Sequence, residues 1–143
     1  AAVLVAGVGL GVGGGAVVGA GGGDDGDLVA GPSISATLGP VDVDAGEGEV
    51  RMTAQSDHSM RVTVQTAGLP KAPAGDFYYV WLLDPATNKM LPLGLVEPGG
   101  TATFRIDEDL VAAYGAVDVV DEADDGDPGH SVTSVLRGAY ELT

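Results

Sequence analysis

Apolar and polar positions follow two different rules along this chain. Over residues 1–23 every side chain is Ala, Val, Leu or Gly, with no polar position at all. From Ser33 onward apolar and polar residues alternate in short runs broken by Gly, Pro, Asn and Asp, the period-two signature of half-buried β-strands joined by turns. In residues 59–66, Met60, Val62 and Val64 fall on one face and Arg61, Thr63 and Gln65 on the other, as expected of an antiparallel strand with one face on a core. The same reading predicts strands at 33–38, 49–54, 77–83, 90–96, 101–106, 116–120 and 132–142. Residues 77–83 are apolar on both faces, so this strand is expected to be central, with Tyr79 and Trp81 at the middle of the core. Residues 84–89 and 97–100 read as turns, and 107–114 as one helical turn with acids at its start. Eight short strands without a long amphipathic helix predict an all-β fold: an antiparallel, Greek-key-like β-sandwich over residues 33–143.

The apolar run has a different destiny. Residues 1–23 are long enough to cross a bilayer, which takes roughly 20 apolar residues. Gly7, Gly11, Gly15, Gly19 and Gly23 recur every four positions, so on a helix they share one face, where small residues let a second membrane helix approach closely. The expectation is one N-terminal transmembrane helix over 1–23, a packing face that permits a homo-oligomer, and a juxtamembrane linker over 24–32. A signal-peptide core cleaved near residues 16–20 and a flexible glycine linker are the rival readings. The first residue is Ala rather than Met, which reads as a fragment or a processed product.

Charge narrows the partners. The chain has 21 acidic and six basic residues, a formal charge of −15, so it lacks the cationic footprint that nucleic acid requires. It has no cysteine, which excludes disulfides, thiolate metal sites and cysteine nucleophiles. Asp121, Glu122, Asp124, Asp125 and Asp127 place five carboxylates around Gly126. Hard oxygen donors in a glycine-containing loop are what Ca²⁺ takes. The spacing is not that of an EF-hand, because Ala123 stands at a ligand position and no glutamate follows at the required distance. The plain alternative is a solvated acidic loop. No other cofactor is expected. His58 and Met60 form a soft pair of the kind that suits Cu(I), although a turn histidine beside a core methionine is the commoner arrangement. Arg137 lies on an apolar strand and is expected to pair with Asp125 or Asp127, organising the loop together with His130; an anion-binding role is the sharper reading. His130 and Ser131 adjoin, but neighbours on a strand point to opposite faces, so they make no catalytic dyad. The chain is not expected to be an enzyme.

Two segments carry a family resemblance. Tyr78-Tyr79-Val80-Trp81-Leu82, followed by Pro92-Leu93-Gly94-Leu95-Val96, resembles the core of the anti-sigma-K factor RskA C-terminal domain family. Residues 125–131, then Ser134-Val135-Leu136-Arg137-Gly138, resemble the ending of a subgroup of that family, so the likeness runs from about Leu38 to Leu142. It implies a single-pass protein of the cell membrane whose C-terminal β-rich domain is extracytoplasmic. In such proteins a cytoplasmic domain, which these residues do not include, holds a sigma factor, and a regulatory protease cutting near and within the membrane frees it. The expected function is therefore a sensor or protease-shielding domain, with residues 21–32 as the cut-sensitive stretch. The competing reading is an exported Ca²⁺-binding or adhesive sandwich module.

Overall fold

A computed structural model describes residues 30–41, 46–127, 129 and 133–142. The predicted transmembrane helix with its five glycines, most of the linker, and His130 lie outside the described residues. Eight strands are present: β1 (Ala30–Pro40), β2 (Glu47–Gln55), β3 (Ser59–Ala67), β4 (Asp76–Asp84), β5 (Lys89–Leu95), β6 (Thr101–Asp107), β7 (Ala116–Ala123) and β8 (Ser134–Ala139). Among the described residues a single short helix, α1 (Glu108–Ala112), joins β6 to β7. Its start follows the local sequence: the Asp107 side chain accepts a hydrogen bond from the Asp109 N–H, which caps a first turn that is itself acidic. Every predicted strand forms. The first begins at Ala30, three residues before the expected start, and takes in the end of the predicted linker.

All pairings are antiparallel, in the order β5-β4-β7-β8-β1-β2-β3-β6. One strand changes the architecture from the expected sandwich. Ser33 to Leu38 of β1 pair with β2, whereas Gly39 and Pro40 pair with Arg137 and Leu136 of β8. β1 thus turns a corner and belongs to both halves, so two separate sheets become one sheet curled on itself. The result is a nearly closed barrel whose seam lies between β5 and β6. Counted across that seam, β3, β6, β5 and β4 lie side by side in Greek-key order. On β5, Pro92 offers no N–H and the pairing register with β4 shifts between Val80 and Trp81, both features of a strand that ends a ladder. At mid-seam Phe104 of β6 packs over Gly94 of β5, where an added Cβ would lie 2.7 Å from the ring.

The interior is aliphatic: Leu38, Val62, Val64, Val80, Val117 and Leu136 are fully buried. Of the β4 aromatics Tyr78 joins the core cluster, as Tyr140 does; Trp81 is buried as well, at 8% exposed, but on the outer face, where Tyr79 is only half-buried. Tyr78, Val80 and Leu82 share the inner face of β4, and the Tyr78 hydroxyl donates to the Pro70 carbonyl at 2.9 Å. Phe77, Tyr79 and Trp81 therefore stack along the outer face, with ring centres 6.0 and 5.6 Å apart. A strand apolar on both faces has no alternation to reveal its inner side. The chain end is anchored by Tyr140, whose hydroxyl donates to the Val111 carbonyl at 2.8 Å and whose burial pushes its pKa up to about 12.

Candidate functional site

Two features set this barrel apart from a plain structural sheet: the outer face of β4, β7 and β8, and the acidic residues 121–127 that end β7 and follow it. Cross-strand register places Pro92, Trp81, Asp118 and Arg137 in one row across β5, β4, β7 and β8. Asp118 is 1% exposed although it sits on the outer face. A carboxylate that far from water needs charge-assisted partners. Arg137 supplies them, its Nη2 at 2.9 Å from Oδ2 and its Nε at 3.4 Å from Oδ1, and the Ser134 hydroxyl donates to Oδ1 as well.

The expected partner of Arg137 is thereby corrected: its carboxylate is Asp118, not Asp125 or Asp127. The reason is register, since Asp118 and Arg137 are direct neighbours in the β7–β8 ladder while the loop acids lie beyond the end of the strand. Asp125 and Asp127 serve the loop backbone instead. Asp125 Oδ1 accepts from the Asp127 N–H at 2.8 Å, and Asp127 Oδ1 from the Gly129 N–H at 2.9 Å. These are the short-range turns that Asp favours.

The five loop acids do not converge. Asp121 and Glu122 are still on β7 and point to opposite faces, Asp121 beside Tyr78 and Glu122 beside Phe77. Asp124, Asp125 and Asp127 are exposed. Among the described residues no three carboxylate or histidine side chains gather closely enough to hold a metal ion. His58 and Met60 also part: the His58 side chain is 93% exposed in a turn and Met60 is in the core.

Asp121 is the acid with an electrostatic consequence. Its Oδ1 is buried without a hydrogen-bond partner. Burial, with the nearby Asp76 carboxylate adding to it, raises its pKa above the ordinary carboxylate value. A carboxyl whose folded pKa is raised adds stability that is fully present below its unfolded pKa and is lost as pH rises through the folded one. Asp121→Asn is therefore expected to raise the melting temperature near neutral pH. The advantage should shrink as pH falls through the raised folded pKa of Asp121, where the wild-type carboxyl becomes protonated, and be gone below its unfolded pKa. Thermal melts across that range check this, and a pH-independent difference would show that the charge of Asp121 is not the cause.

The seam holds a cleft of about 350 Å³ lined by Leu91, Leu93, Phe104, Ile106 and the half-exposed Leu110, together with Arg105 and Asp107. It is apolar and open, and no nucleophile paired with a base faces it. A model of the family described as anti-sigma-K factor rskA, C-terminal, matches residues 1–134. This chain belongs to that family. No curated protein and no solved structure matches it. The matched stretch takes in all of β1 to β7 and reaches the first residue of β8, and so covers the Tyr78–Leu82 and Pro92–Val96 segments that carry the resemblance. Anti-sigma factors are regulatory proteins whose partner is a sigma factor, and an RskA C-terminal domain is one part of such a protein. Sequence reading missed Asp118 as a site residue, although a lone acid in the run Ala116-Val117-Asp118-Val119-Val120 was a signal. Such an acid needs a cation on a neighbouring strand.

Proposed function

We propose that this chain is the extracytoplasmic regulatory domain of a membrane-anchored anti-sigma factor, and that it controls proteolytic release of the sigma factor. Residues 1–23 would be the membrane anchor, and a cytoplasmic domain outside these 143 residues would hold the sigma factor. The observation that carries the reading, beside family membership, is the way the chain enters the barrel. The first described residue, Ala30, already belongs to β1, the strand that joins the two halves of the sheet. The connection to the apolar run is thus continuous with the strand on which barrel integrity depends. Any event that loosens β1 exposes that connection to a protease, because cleavage follows the population of locally opened states. A barrel held shut protects it.

Limited proteolysis of the full chain in bilayers, with a protease of broad specificity, tests this. The first cut is expected within residues 21–29, and it should accelerate in variants that destabilise the β1–β8 junction. A first cut in the loop of residues 121–129, with the connection left intact, would contradict the proposal.

A further inference from the structure

The outer face of the other half of the barrel holds a feature that the regulatory reading does not use. Of the chain's six basic residues, two are direct cross-strand neighbours: Arg61 of β3 and Arg105 of β6. Like charges directly opposite on a sheet repel, and this pair occurs in a chain of net charge −15 that has carboxylates to spare. Arg105 is answered by the Asp57 carboxylate and by the Ser59 hydroxyl at 3.1 Å. Arg61 has no ion pair or hydrogen bond among the described residues.

Both guanidinium-bearing residues line a recess of about 150 Å³ together with Gln55 and Thr103. Gln55 is 7% exposed. Its Nε2 donates to the Thr53 and Ala54 carbonyls at 3.0 and 3.2 Å, which orients the amide and leaves Oε1 buried with no donor. Buried acceptors without a donor are rare because they forfeit a hydrogen bond made in water. The recess is thus lined by two cationic residues, by Thr103, whose hydroxyl lies 3.3 Å from that of Thr63, by Phe104, and by a glutamine with one acceptor in want of a proton.

We propose that this recess binds an oxyanion that carries its own O–H, a hydrogen phosphate group in chemical class. Arg61 and Arg105 hold the anionic oxygens, the Thr103 hydroxyl donates to another, and the phosphate O–H donates to Gln55 Oε1. The acceptor makes the site selective. Sulfate has the same shape and no proton to donate at neutral pH, so it would leave Gln55 Oε1 unpaired and be rejected. The site lies on the sheet formed by β1, β2, β3 and β6, away from the Asp118–Arg137 pair.

Titration of the full chain with inorganic phosphate, sulfate and glycerol 3-phosphate, followed through backbone amide NMR signals, tests the proposal. Inorganic phosphate should shift the signals of Gln55, Arg61 and Thr103 saturably, and sulfate should bind at least about tenfold more weakly. Glycerol 3-phosphate reports the source: binding only near its second pKa, where it keeps a proton, assigns the site to phosphoryl end groups as well as to free phosphate, and no binding assigns it to free phosphate. Arg61→Gln, at an exposed position that the fold does not need, should weaken phosphate about tenfold or more. Gln55→Leu should abolish the preference over sulfate, with unchanged signals elsewhere showing that the barrel is intact. Equal affinity for sulfate and phosphate, unsaturable shifts, or an Arg61→Gln variant that binds as tightly as the parent would overturn the proposal.

Discussion

Replacing Gly138 with alanine is expected to cost about 3 kcal/mol or more, a large share of the roughly 5–15 kcal/mol that stabilises an ordinary domain. Gly138 lies on β8 where β1 crosses to join it. A Cβ there would collide with the Thr37 carbonyl oxygen and lie 2.8 Å from Leu38 Cδ2 and 3.0 Å from the Thr37 carbonyl carbon. The obstacle is backbone, which no rotamer change removes, and Leu38 is itself fully buried. Relief requires β8 to withdraw from β1, which would also pull Gly39 and Pro40 from Arg137 and Leu136. The melting temperature should fall by about 10–20 °C. Because β1 leads back to the proposed membrane connection, the same variant should be cut sooner in the proteolysis experiment. Gly39→Ala, where an added Cβ meets nothing within 4 Å, is the matched control and should be nearly neutral. A Gly138→Ala variant as stable as the parent would show that β8 and β1 are not so closely apposed.

Arg137→Met is expected to be the second most damaging change, at about 2–3 kcal/mol. Truncating one partner of a buried ion pair typically costs 3–5 kcal/mol because the other charge is stranded. The lower figure applies because the Arg137 side chain is 44% exposed and only Asp118 is fully buried. Ser134 would remain as a donor to Asp118, but a single neutral hydroxyl does not replace a guanidinium fork. Adding Asp118→Asn to Arg137→Met should restore at least half of the loss, since the stranded charge is then gone. Urea denaturation of the two single variants and the double variant completes the cycle. If the double variant were as unstable as the sum of the singles, the pair would not be the source of the effect.

The two variants bear on the proposed gating through the same piece of structure. Gly138 and Arg137 are consecutive on β8, and together they hold this strand between β7 and the corner of β1. A domain that gates access to its own N-terminal connection needs a junction whose opening is local. β8 is short and meets β1 at only two paired positions, a natural place for such opening.

Much of the fold was written in the order of residues. Alternation such as Met60-Arg61-Val62-Thr63-Val64 determines a strand and its buried side by itself, because successive side chains on a strand face opposite ways. Capping residues such as Asp107 likewise act within a few positions of the chain, so all eight strands and the single helical turn could be read directly. The family could be read too, since contiguous segments of β4 and β5 carry it. Three things could not. The inner face of β4 is set by which neighbours cover it, so Tyr78 went to the inner core while Trp81 was buried on the outer face. The closure of two half-sheets into one curled sheet depends on β1 turning a corner at Gly39, a tertiary event with no periodic signal. The pairing of Asp118 with Arg137, and of Arg61 with Arg105, follows from register between strands 19 and 44 residues apart in sequence. Local patterns decide what each segment becomes; which distant charges end up side by side is decided only when the strands are laid together.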